Sequence, residues 1–120
     1  MRAMDKVFKA YDIRGIYPSE LNEALFQKIG NALRFFGAEK LVVGSDMRAS
    51  SEPLRKALIE GARDAGISVI DIGLSSTPML YQASHDFDVD LGVIITASHN
   101  PKEFNGMKLC KKDAYPIAWD

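Results

Sequence analysis

In GVIITASHNPKEFNGMKL (residues 92–109) an apolar run stops at Thr96 and gives way to Ala97, Ser98, His99, Asn100 and Pro101. The chain then returns through a second alternating segment that carries Lys108. A continuous apolar run suits a strand covered on both faces. An Asn-Pro pair is turn chemistry. The segment therefore predicts a buried strand (89–96), a tight polar loop presenting a hydroxyl, an imidazole and an amide, and a further strand over 106–111.

Working outward, the same alternation fills the chain. VFKAYDI (7–13) predicts a first strand, broken at Gly15 and Pro18. Ser19 is placed as the cap of a helix running to about Phe36, in which Leu21, Leu25, Ile29, Ala32, Leu33 and Phe36 recur at helical spacing before Gly37. Phe26 and Phe35 flank that stripe, equally readable as core or as contacts to another domain. KLVVGS (40–45) is a second strand. Ser50 or Ser51 caps a helix with Pro53 in its first turn and Leu54, Ala57, Leu58, Gly61 and Ala65 on one face. ISVIDI (67–72) is a third strand, and Pro78 to about Ser84 a short helix. Strand–helix–strand alternation predicts an α/β fold: three layers, α/β/α, around a mostly parallel sheet of four to five strands, with a mixed sheet allowed by the closing strand.

The bulk properties exclude several classes. The chain has 120 residues, enough for one domain, with 15 basic residues against 16 acidic. A nucleic-acid binder normally carries a basic excess, so none is expected. No apolar run nears the roughly 20 residues of a membrane span, and MRAMDKVFKA (1–10) has no secretion-signal core. Cys110 is the single cysteine, which forbids an internal disulfide and fits a reducing, cytoplasmic setting. The expectation is a soluble domain with no nucleic-acid or membrane partner.

In open α/β sheets ligands bind beyond the carboxyl ends of the strands. The polar clusters sit there: YDIRG after the first strand, GSDMRASS after the second, GLSSTP after the third and TASHNP after the fourth. Each alone has a plain explanation, Asp46 with Arg48 as a loop ion pair and Ser-Thr-Pro as a turn. Together they line one edge. Ser98 lacks the Gly-x-Ser-x-Gly setting of a hydrolase elbow, and adjacent His99 is ill placed to serve it. Arg14 and Lys108 instead suit an anion: a phosphorylated serine carries about −1.5 to −2 charge and calls for such cations.

TASHNP followed by NGMK, with AYDIRG near the start and STPML before the fourth strand, resembles the first domain of the α-D-phosphohexomutases, in order and over nearly the whole chain (1–120). The phosphomannomutase/phosphoglucomutase branch is favoured over the phosphoglucosamine mutases, whose opening segment reads Gly-Thr-Asp-Gly-x-Arg-Gly. The resemblance implies a phosphate on Ser98 that passes to a hexose monophosphate, giving a hexose 1,6-bisphosphate intermediate and activator. By the same resemblance His99 and Asn100 flank the phosphoserine, Tyr11, Arg14 and Lys108 face the reacting groups, and Lys108 is the general acid/base. It also implies Mg2+ bound through the phosphate on Ser98 together with aspartates of a second domain. The magnesium, sugar-selecting and phosphate-binding loops of the later domains are absent, so the chain is read as an excised first domain, inactive alone, whose partners are the missing domains and the hexose phosphate.

Two other readings stand beside this one. DFDVD (86–90) has the spacing of a metal loop, but Leu91 and Ala97 stand where an EF-hand needs glycine and glutamate, and bulky Phe87 and Val89 separate the aspartates. It is read as the lead into a strand. The rival from another class is a non-catalytic α/β module that binds an anion or a protein through the same edge, where His99 would be an ordinary loop histidine and Lys108 a solvated strand residue.

Overall fold

The structure, a computed structural model, describes residues 8–9, 12–97, 100–111 and 115–116; Tyr11, Ser98 and His99 lie outside the described residues. In chain order the elements are β1 (Phe8–Lys9), β2 (Asp12–Ile16), α1 (Glu23–Ala32), a 3-10 turn (Leu33–Phe36), β3 (Lys40–Ser45), α2 (Ser51–Asp64), β4 (Ser68–Leu74), α3 (Thr77–Asp86), β5 (Leu91–Ile95), β6 (Phe104–Lys111) and β7 (Tyr115–Pro116). Among the described residues one seven-stranded sheet takes the spatial order β1-β2-β6-β5-β3-β4, with β7 paired to β6. β3 runs parallel to both β4 and β5. The β5–β6, β2–β6, β1–β2 and β6–β7 pairings are antiparallel.

The α/β class stands, and the sheet is of the mixed kind. Parallel pairing is confined to the strands joined by helices, because a parallel return needs a crossover. β5 instead returns directly to β6 through residues 96–103.

Side-chain alternation sorts the sheet residues onto two faces. Leu41 and Val43 of β3, Leu91, Val93 and Ile95 of β5, and Met107 and Leu109 of β6 pack with Phe26 and Ile29 of α1 and with Leu54, Leu58 and Ala62 of α2. The alternate residues Val42, Ile94 and Cys110 pack with Leu80 and Ala83 of α3 and with Val89. These are the expected three layers. α1 and α2 approach closely: a Cβ at Gly30 would overlap the Leu58 carbonyl, and one at Gly61 the Gln27 carbonyl.

Several boundaries differ from the sequence reading. The first long strand is Asp12–Ile16 rather than 7–13, so Arg14 and Gly15 lie within a strand and not in a loop. Ser19 does not cap α1. Asn22 does, its Oδ1 accepting from Leu25 N at 3.0 Å, and Leu21 is buried ahead of the helix. Asn outcompetes Ser19 because it stands immediately before the residues whose N–H groups need an acceptor. Helix α1 tightens into the 3-10 turn and ends at Gly37, whose φ of 84° is the left-handed cap expected there. The two phenylalanines separate, Phe26 fully buried and Phe35 88% exposed. β4 continues to Leu74 through a register shift opposite Val43/Gly44 of β3, where Ile72 is the extra residue, with Gly73 at φ 67°. Ser76 caps α3 by accepting from Met79 N at 3.2 Å, and Pro78 lies in the first turn.

Candidate active site

β2, β6 and β5 lie side by side at the edge where β5 ends. Across the β2–β6 pair Arg14 is opposite Gly106 and Asp12 opposite Lys108. Directly opposed residues share a face, and so do residues two apart on one strand. Arg14 and Lys108 therefore stand on one face, diagonal to each other across Gly106, both half-buried. Lys108 is also opposite Ile94, close to the end of β5, and Thr96 N donates to the Gly106 carbonyl at 2.9 Å. The two cations are thus set at the foot of the loop that carries Ser98. Gly106 permits this: a Cβ there would overlap the Ile13 carbonyl and come within 2.9 Å of the Arg14 Cα.

The loop itself is tied to the end of β3. Asp46 N donates to the Ile95 carbonyl at 3.0 Å, extending the parallel pairing by one residue. The Asp46 carboxylate accepts from Thr96 Oγ1 at 2.7 Å, from Ser51 Oγ and from Arg48 N at 3.1 Å. Arg48 Nε lies 3.3 Å from Asp46 Oδ2. Its Nη1 donates to the carbonyls of Pro101 at 2.7 Å and Phe104 at 3.2 Å, and its Nη2 to that of Asn100 at 2.8 Å. Asn105, fully buried at the far end, donates through Nδ2 to Ser50 Oγ at 2.7 Å and Ser51 Oγ at 2.9 Å, while its Oδ1 accepts from Gly106 N. Within the loop Asn100 N donates to the Ala97 carbonyl and Phe104 N to that of Pro101.

Of the residues singled out from sequence, Arg14, Asn100 and Lys108 fall on this edge, Asn100 as part of the clamped loop. Tyr11, Ser98 and His99 lie outside the described residues. The sequence reading took Asp46 and Arg48 for a local ion pair and Ser50 or Ser51 for a helix cap. The pair exists, but Asp46 also reaches Thr96, 50 residues along the chain, and Arg48 reaches Asn100, Pro101 and Phe104. Ser50 occupies the cap position with no side-chain capping bond, and both serine hydroxyls serve Asn105 instead. The Asp-x-Arg-x-Ser-Ser spacing at a strand end was visible; its target was not.

The three aspartates of DFDVD take separate roles. Asp86, the last residue of α3, accepts from Gln82 Nε2 at 3.0 Å. Asp88 turns the chain at φ 51°. Asp90 accepts from the backbone N of Glu39 and Lys40 at 2.9 Å each. Among the described residues no three His, Cys, Asp or Glu side chains group as a metal site. Nor, among them, is any helix long and apolar enough to cross a membrane. Cys110 is buried against Ser84, its Sγ 3.5 Å from Ser84 Oγ, and burial pushes its thiol pKa up. Tyr17 Oη donates to Glu23 Oε2 at 2.7 Å, a bond that also raises the pKa of the phenol.

Three layers, α/β/α, around a mixed sheet with two half-buried cations on adjacent strands define the class of domain to be compared with known proteins. The family model described as phosphoglucomutase/phosphomannomutase, alpha/beta/alpha domain I, matches residues 5–120, and the chain belongs to that family. It is 51% identical over 114 residues to a phosphomannomutase of Klebsiella pneumoniae, covering 94% of this chain and 73% of that sequence. It is equally identical, 51% over 114 residues, to a phosphomannomutase of Escherichia coli, of which it spans only 25%. A solved Burkholderia thailandensis phosphoglucomutase/phosphomannomutase family protein superposes with a TM-score of 0.83 at 35% identity, over 93% of this chain and 27% of that one.

Proposed function

We propose that this chain is domain I of a phosphohexomutase that interconverts the 1- and 6-phosphates of mannose, glucose or both through a phosphate carried on Ser98. The observation that supports this best is the placement of Arg14 and Lys108 on one sheet face, across Gly106, at the foot of the Ser98 loop. In the first half-reaction the bond between phosphorus and Ser98 Oγ breaks as one forms to a sugar hydroxyl oxygen. The hydroxyl loses its proton and Ser98 Oγ gains one. In this reading Lys108 shuttles that proton and Arg14 holds the phosphoryl oxygens. The resulting hexose 1,6-bisphosphate reorients and returns its other phosphate to Ser98. Such transfers depend on alignment and charge stabilisation more than on covalent chemistry by the protein. His99, Asn100 and Tyr11 complete the proposed phosphate surroundings.

Mg2+ belongs to this reading as a group that offsets phosphoryl charge. The described residues do not assemble a site for it, and no step is derived through it. Ser98, through its phosphate, is the one ligand proposed from this chain, the others coming from domains beyond it. The 25% share of the E. coli relative supports such further domains, and a lone buried thiol suits work in the cytoplasm.

The test is to incubate the full-length enzyme with hexose 1,6-bisphosphate and map phosphopeptides by mass spectrometry. The expected result is phosphate on Ser98 and loss of turnover in Ser98→Ala. A Ser98→Ala enzyme with full turnover and phosphate on Ser75 or Ser76 would overturn the assignment. A wild-type protein that binds hexose phosphates without converting them would favour the non-catalytic module.

A further inference from the structure

We propose that Asp46 and Arg48 are positioning residues for the phosphoryl transfer, together clamping both ends of the 96–105 loop so that Ser98 is presented in one geometry. The inference rests on the proposed function, since that is the reaction being positioned. Arg48 donates to three main-chain carbonyls of the loop, those of Asn100, Pro101 and Phe104. The guanidinium therefore holds the path of the loop's main chain. Only a planar fork with several donors can meet three carbonyls and a carboxylate at once; an ammonium is a point charge. Asp46 holds that fork and, through Thr96 Oγ1, pins the end of the loop that leaves β5. The side chains of Arg48 and Asp46 are only 14% and 23% exposed, so water competes poorly for these bonds. A surface loop needs no such device to satisfy its carbonyls, because solvent suffices. A nucleophile that must align with a sugar hydroxyl does, since small misplacements slow transfer steeply.

The experiment uses the full-length enzyme and reads both turnover on a hexose 1-phosphate and amide hydrogen exchange of peptides spanning 96–105. Arg48→Lys is expected to lower kcat by about 30-fold or more, with KM within about threefold, and to speed exchange in that loop by about tenfold. Thr96→Val, which removes one hydroxyl at nearly constant shape, should lower kcat in the same direction, and Thr96→Ser should recover most of that loss. If Arg48→Lys does not fold, the Thr96 pair decides. Faster loop exchange with undiminished kcat would overturn the proposal, as would unchanged exchange in both Arg48→Lys and Thr96→Val. A wild-type enzyme inactive on hexose phosphates would refute the proposed function instead, while the exchange data still judge the clamp.

Discussion

Lys108 and Arg14 stand on one sheet face yet offer different chemistry. A guanidinium engages phosphoryl oxygens through paired donors and does not exchange protons, whereas a lysine amine can do both. In the full-length enzyme Lys108→Ala is expected to reduce kcat by about 10²- to 10⁴-fold, the range of a lost general acid/base. Arg14→Lys keeps the charge but loses the fork, and should reduce kcat by roughly 10- to 100-fold, the worth of one charge-assisted hydrogen bond. Steady-state rates at saturating sugar phosphate and magnesium check both, and a near-normal Lys108→Ala would remove that residue from the mechanism. Cys110 supplies a test of burial at the same scale. Its thiol is fully buried, with its pKa raised by desolvation. The folded-state pKa therefore lies above the unfolded value of about 8.5. The thiol's contribution to stability is whole below the unfolded value and is lost as pH rises through the folded one. Between pH 8 and 10 the denaturation midpoint should fall more steeply for the wild type than for Cys110→Ala. Iodoacetamide should leave the native thiol unmodified and label it only on unfolding.

Among the elements, the α1–α2 pair depends on two glycines used for closeness and not for backbone freedom. Gly61 lies against the Gln27 carbonyl, and Asn31 Nδ2 donates to the Gly61 carbonyl at 3.3 Å. Helix propensity favours alanine over glycine by about 1 kcal/mol, but contact with unyielding backbone wins here. Gly61→Ala is expected to destabilise the domain by about 1–3 kcal/mol, as overpacking does, measured as a lower urea midpoint with unchanged slope. A stabilised variant would show that α1 and α2 are further apart than described. The β5–β6 return is the counterpart at the site: a short connection that brings Lys108 back beside Ile94.

At the scale of the whole molecule, two apolar clusters on opposite faces of one sheet supply a core. The 120-residue chain should fold alone as a cooperative unit. It should also be inactive, because the proposed reaction draws its remaining metal ligands and its sugar-selecting contacts from outside it. Circular dichroism and thermal denaturation of the purified chain check folding, and coupled assays of hexose 1- and 6-phosphates check activity. A cooperative transition with no turnover is expected; turnover by the chain alone would overturn the division of labour among domains.

The α/β class, the buried strands over 40–45 and 89–96 and the identity of the edge that carries the polar loops were legible in the sequence, because alternation and apolar runs report local periodicity. So was the family, through TASHNP, NGMK and AYDIRG. Local pattern misplaced Ser19 as a cap and ended the first strand before Arg14, since the neighbours that decide both are set by competition among adjacent residues and by pairing to β6. The antiparallel β2–β6 register, which brings Arg14 beside Lys108, pairs Arg14 with Gly106 and Asp12 with Lys108, residues more than 90 positions apart. The reach of Arg48 to Asn100, Pro101 and Phe104 spans more than 50. Neither leaves a periodic trace. The residue types at the site were therefore determined by the sequence itself, and their meeting was decided by tertiary structure, because strand register and main-chain hydrogen bonding depend on the folded path of the chain.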